Sequence, residues 1–193
     1  MNLNQTTINN TIKQISEKAA LSLSNVAHNG FKQIKEYSFD CSELDDCREE
    51  DITESKKYKQ LFDDLKKITG PTLYYFEVLS DHSPSVIVSS LQAYSDTEHS
   101  RPCPPPAPKS NFEDNKILYV GKVKRYMFGR FIQHLGFHKA KSTQGLQLFY
   151  WAKNLSLSLK LTMLEFEPDM INLMTVLENE VANELKPIIG KHK

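Results

Sequence analysis

The stretch LSLSLKLTMLEFE, residues 155 to 167, alternates apolar and polar side chains for most of its length. Leu155, Leu157, Leu159, Leu161 and Met163 lie two apart, so an extended backbone puts all five on one face, whereas a helix would scatter them around its circumference. A strand with one apolar face needs neighbouring strands for its backbone N–H and C=O groups and a helical layer over that face. The chain must therefore build a sheet, and the rest of the sequence has to supply the partners.

Two partners are visible. TLYYFEVL, residues 72 to 79, is aromatic and β-branched without a breaker, and Gly70-Pro71 separates it from what precedes. KILYVG, residues 116 to 121, is the second. Residues 146 to 151 are a candidate short strand before the alternating one. Helical spacing is found elsewhere. Residues 5 to 36 read as one or two helices, with Ile8, Ile12, Ile15, Ala19, Leu23 and Val26 recurring at that period. Residues 53 to 68 read as a second amphipathic helix. A short helix starts at Ser83-Pro84 and ends near Tyr94, another covers 125 to 136, and the last opens at Pro168-Asp169 and stops at Lys186-Pro187. The acidic stretch DCSELDDCREED, 40 to 51, reads as a loop, and SRPCPPPAPKS, 100 to 110, as a linker or ordered polyproline loop. The order strand, strand, helix, strand, helix predicts an α+β domain with a small, three-stranded, mostly antiparallel sheet flanked by helices.

Composition narrows the function class. Hydrophobic residues make up 39% of the 193, enough for a packed core, yet no run of about 18 apolar residues predicts a membrane span. The opening MNLNQTTINN lacks the basic and apolar regions of a signal peptide. The expectation is a cytoplasmic protein with no membrane partner. Cys41, Cys47 and Cys103 are odd in number and sit in polar surroundings, which fits reduced thiols, and no further ligands at zinc spacing accompany them.

The formal net charge of zero hides an asymmetry. Between Lys116 and Lys160 lie nine basic residues and no Asp or Glu: Lys116, Lys122, Lys124, Arg125, Arg130, Lys139, Lys141, Lys153 and Lys160. Such a one-signed run suggests an anionic partner, against the plainer alternative of a basic surface with no special partner. Within it, Arg130 and His134 are four apart on the 125–136 helix and share a face. Arginine there can fork onto a phosphate, and histidine can accept or relay a proton near neutral pH. The final helix carries an apolar stripe of Met170, Met174, Leu177, Val181 and Leu185, and Glu178 falls inside it. A carboxylate there must be paired with an arginine or lysine or bound to a cation.

These residues resemble the paired motifs of the GIY-YIG endonucleases. LYY at 73 to 75 and YVG at 119 to 121 match the two motifs in order. Arg130 and His134 follow on a helix, then Glu178 on the last helix, nine residues before Pro187 of the Lys186-Pro187 pair. The resemblance covers residues 69 to 193 and makes residues 1 to 68 an N-terminal helical extension with an acidic loop. Tyr74 and Tyr119 are 45 apart, so residues 81 to 113 read as an insertion, a helix plus the proline-rich segment. Gly190 stands where the family often has asparagine.

The resemblance implies hydrolysis of DNA phosphodiester bonds with one divalent metal. Glu178 would bind Mg²⁺ or Mn²⁺, and Arg130 would grip the scissile phosphate. Tyr74 would act as general base or position the attacking water, with His134 assisting it or relaying its proton. Tyr119 would hydrogen-bond phosphate or water. Lys122, Lys124, Arg125, Lys139 and Lys141 are the candidate nucleic-acid contacts. One metal site cuts one strand per visit, so cleavage of both strands would imply a homodimer. The competing expectation is a catalytically weak nucleic-acid-binding module on the same scaffold.

Overall fold

A computed structural model describes residues 4–46, 51–97, 105–106, 115–137 and 145–190. Its centre is an antiparallel sheet of four strands: β1 Gln33–Asp40, β2 Thr72–Val78, β3 Ile117–Val123 and β4 Ser158–Glu165, in the spatial order β1-β4-β2-β3. The alternating stretch becomes β4, a central strand bonded on both sides, with Leu159, Leu161 and Met163 buried together. The α+β class is as the sequence predicts, but the sheet has four strands, not three.

The extra strand is β1, which falls partly in the stretch read as helix. The first helix, α1 Gln5–Asn29, stops at Gly30, whose φ of 71° and N–H bond to Val26 O close the last turn. After Phe31 and Lys32, the eight residues of β1 pair over their full length with β4, from Gln33↔Glu165 to Asp40↔Ser158. A second correction concerns 146 to 151. This segment is the single-turn helix α5, Leu148–Trp151, entered through Gln147 at a φ of 55°, with Trp151 Nε1 donating to Leu146 O at 2.7 Å. The helix expected over 53 to 68 is shorter, α2 Lys59–Leu65, and residues before it form turns.

Helices cover both faces of the sheet. On one face α2, α3 Pro84–Ser95, α4 Met127–Leu135 and α5 enclose the larger core, where Phe39, Phe62, Phe76, Phe131 and Trp151 pack with Tyr74 and Tyr119. On the other, α6 Met174–Leu185 and the end of α1 cover Leu73 and Val120 through Met174, Ala182 and Val26. Alternation along β2 and β3 therefore sends Tyr74, Tyr119 and Gly121 to the α4 side, and Leu73, Val120 and Lys122 to the α6 side. The N-terminal half of α1 leaves Ile8, Ile12 and Ile15 exposed.

The ends of the structure lock β3 in place. Asn115 Nδ2 donates to Leu185 O at 3.0 Å and to Lys186 O, closing α6 where Lys186-Pro187 ends it. The chain then returns along β3, with Ile188 N bonded to Ile117 O at 2.8 Å and Ile189 N to Leu118 O at 2.9 Å. Gly190 N reaches Pro106 O at 3.0 Å, which anchors the described part of the proline-rich segment. Among the described residues no helix is long and apolar enough to cross a membrane.

Glu165 ties β1 and the β2 entry to β4. Its side chain is buried and accepts from Gly70 N at 2.7 Å, Thr69 N at 3.2 Å and Gln33 Nε2. Removing it takes the acceptor from three donors, two of them backbone, with Gly70 and Gln33 half-buried. Glu165→Ala is expected to lower stability by about 2–3 kcal/mol, with Glu165→Gln losing less because its amide oxygen still accepts. Urea unfolding checks this through a lowered midpoint at unchanged slope.

Candidate functional site

Tyr74 is the centre of the site and is wholly buried. It stands opposite Gly121 in the β2–β3 register, and its ring crosses the space that a side chain at 121 would occupy. A Cβ on Gly121 would lie 2.5 Å from Tyr74 Oη and 2.7 Å from Tyr119 Cε1. The glycine of the YVG motif is thus required by the approach of the two phenols.

Helix α4 supplies the groups that meet Tyr74 Oη. Arg130 Nε donates to it at 3.0 Å, and His134 Nε2 lies 2.8 Å from it. The histidine tautomer follows from its other nitrogen. Leu146 N–H donates to His134 Nδ1 at 3.2 Å, so Nδ1 is the acceptor and Nε2 carries the proton of the neutral ring. Burial, and then the nearby Arg130 charge, hold the His134 pKa well below its ordinary 6.5, which keeps the ring neutral. Tyr74 Oη accordingly accepts two N–H bonds. Its own hydrogen goes to Tyr119, which bonds both Tyr74 and Arg130.

Both phenols are pushed up from their ordinary pKa, first by burial. The Arg130 charge pulls in the opposite direction. Arg130 is itself oriented by Gln133, which accepts from Nη1 at 3.0 Å. At least three of its five N–H groups are then committed within the site.

Glu178 enters from α6, on the other side of β3. Its carboxylate forms an ion pair with Lys122, and both side chains are mostly buried, at 14% and 23% exposure. The pair matches one of the two alternatives that the stripe position of Glu178 leaves open. The negative charge of Glu178 acts on both Tyr74 and Tyr119. Among the described residues no group of three or more His, Cys, Asp and Glu is placed to hold a metal ion. A single carboxylate can still serve Mg²⁺, which keeps most of its waters and takes further oxygens from substrate phosphates.

The structure therefore joins Tyr74, Tyr119, Arg130 and His134 in one network, and pairs Lys122 with Glu178 on the other side of β3, close enough for the Glu178 charge to act on the phenols. Lys124 and Arg125 are exposed just before α4. Lys139 and Lys141 lie outside the described residues. The basic run is not one free surface, because Lys160 pairs with Glu77 at 2.8 Å and Lys153 donates to Leu44 O. Gln133 and the Leu146 amide were not visible from residue type. A signal for the latter is Gly145, where a Cβ would lie 2.1 Å from Gln133 O, so only glycine lets this loop reach α4. Comparison with family models, with curated proteins and with solved structures finds no match.

The buried neutral histidine has a consequence for stability. Below pH 6.5 the unfolded chain takes up a proton on this side chain and the folded chain does not, so acid favours unfolding. Wild-type stability is expected to rise between about pH 5 and 6.5 with a slope approaching 1.4 kcal/mol per pH unit from this group. His134→Gln is expected to be less stable throughout and to lose that slope, as checked by urea unfolding at several pH values.

Proposed function

We propose that the chain is a divalent-metal-dependent endonuclease of GIY-YIG type that hydrolyses phosphodiester bonds of DNA. The observation supporting this is one hydrogen-bonded network, His134 and Arg130 to Tyr74 and Tyr74 to Tyr119, with the Glu178 carboxylate within electrostatic reach of both phenols. Those are the residues that the motif resemblance singles out.

The donors in this network all lead to Tyr119. Its oxygen receives the Tyr74 hydrogen and an Arg130 N–H, which favours its phenolate form, while burial opposes it. Tyr119 is also the more exposed phenol, at 8% against 0%. Once its own proton has left to solvent, Tyr119 as the phenolate would take the proton of an attacking water, and Tyr74 would position it. His134 acts as a donor that holds Tyr74, because its Nε2 already carries a proton. The N–H groups of Arg130 not committed to the phenols and Gln133 are available to a phosphate oxygen. Glu178 would hold Mg²⁺ or Mn²⁺, which when bound supplies Lewis-acid polarisation of the phosphate and the charge that lowers the phenol pKa. Lys124 and Arg125 would follow the DNA backbone beside α4.

The Lys122–Glu178 pair favours a second reading, a nucleic-acid-binding module in which Glu178 is only a structural counter-charge. Plasmid nicking with Mg²⁺ or Mn²⁺, run beside DNA binding, separates the two. The nuclease reading expects wild type to nick and Glu178→Ala to bind DNA while nicking at least about a hundredfold more slowly. If neither nicks with any metal or DNA form, yet both bind, the protein is the binding module.

A further inference from the structure

We propose that the Lys122 ammonium occupies the position a divalent cation needs at Glu178, so that the ion enters only as Lys122 leaves to meet a phosphate. The inference deepens the nuclease reading and rests on it for the identity of the phosphate.

The DNA-free cluster holds two cations, Arg130 and Lys122, and one anion, Glu178. The phenols and His134 are neutral, for the reasons given above. Adding a doubly charged ion with Lys122 still in place would put a third and fourth positive charge into a site whose side chains are mostly buried. Repulsion between like charges at such spacing is not screened as it would be in water. Glu178 also cannot serve both partners fully. It is the carboxylate that Lys122 is paired with, and a hard divalent ion needs its oxygen directly.

Lysine suits an exchangeable role. Its ammonium is a compact point charge on a flexible four-carbon stem, and it hydrates readily when released, whereas arginine would clamp the carboxylate with two parallel bonds. Lys122 follows Gly121 on β3, so alternation turns its side chain to the α6 side, opposite the phenols. The flexible stem gives the ammonium the freedom to exchange Glu178 for a phosphate arriving at β3, the outer strand of the sheet. Metal and phosphate would then arrive together. The free protein would bind the ion weakly, which protects DNA-free protein from a tightly held metal and confines the loaded site to the complex.

The test measures Mn²⁺ binding to the DNA-free protein by loss of the free-ion paramagnetic resonance signal. Lys122→Met is expected to bind one Mn²⁺ about tenfold or more tightly than wild type. Lys122→Arg is expected to bind no more tightly than wild type, because the competing cation is kept. Glu178→Gln, alone or with Lys122→Met, should show no saturable site. Should Lys122→Met fail to fold, NMR of labelled lysine side chains in the wild type bound to a DNA oligonucleotide replaces it, with the Lys122 resonance expected to move as Mg²⁺ is added. The proposal is overturned if Lys122→Met binds Mn²⁺ no better than wild type, if the double variant gains as much, or if the Lys122 resonance of the DNA-bound protein ignores Mg²⁺. Tightening in Lys122→Met without any nicking by wild type keeps the exchange and removes the nuclease reading. Nicking without tightening does the reverse.

Discussion

The hydroxyl of Tyr74 sets the terms for the rest of this structure. A phenol with no exposed surface must have every hydrogen-bonding position filled by protein, or the cost of burying it exceeds what one ring contributes to a core. Two N–H groups from α4 and the oxygen of Tyr119 fill them. To bring them there, β3 must have glycine at 121, α4 must present Arg130 and His134 on one face, and the loop at Gly145 must reach α4 so that Leu146 N–H can set the histidine tautomer. Each requirement falls on a different segment, and the sheet register is what makes them meet.

The location of this network at β3 matters for chemistry. β3 ends the sheet order, and the returning segment after α6 bonds its first residues, leaving Gly121 and Lys122 further along. One face of β3 looks to the phenols and α4, the other to α6 and Glu178. A site built across an outer strand can draw phenols, a guanidinium and a carboxylate from two layers that a central strand would keep apart. The Asn115 bonds to the end of α6 and the Gly190 bond to Pro106 keep α6, and with it Glu178, at a fixed height against β3.

Much of this was legible in the sequence. The period-two pattern of β4 reports its own buried face, and Ser83-Pro84 marks the start of α3. Arg130 and His134 are neighbours because helical spacing makes them so, and Glu178 stands out because it interrupts an apolar stripe. Less legible was anything defined by distant pairing. β1 has one buried side chain in eight positions, so its extended form comes from eight ladder partners in β4 and not from its own pattern. The partner of Glu178 is 56 residues away, and several cations were available to it. The amide that sets the His134 tautomer carries no side-chain signature at all, only the neighbouring glycine that makes room for it. Residues 146 to 151 misled because short apolar aromatic runs suit a strand and a buried helical turn equally.

The claim on which the account depends is that His134 is a neutral donor at Nε2 and that Tyr74 is an acceptor of two N–H bonds. Long-range proton–nitrogen NMR of histidine-labelled protein reads this directly. The account predicts a protonated-type Nε2 and an unprotonated-type Nδ1 for His134, unchanged from about pH 5 to 8. A ring protonated at Nδ1, or one that becomes an imidazolium within that range, would contradict it, because Tyr74 would then lose its second donor or face a buried cation.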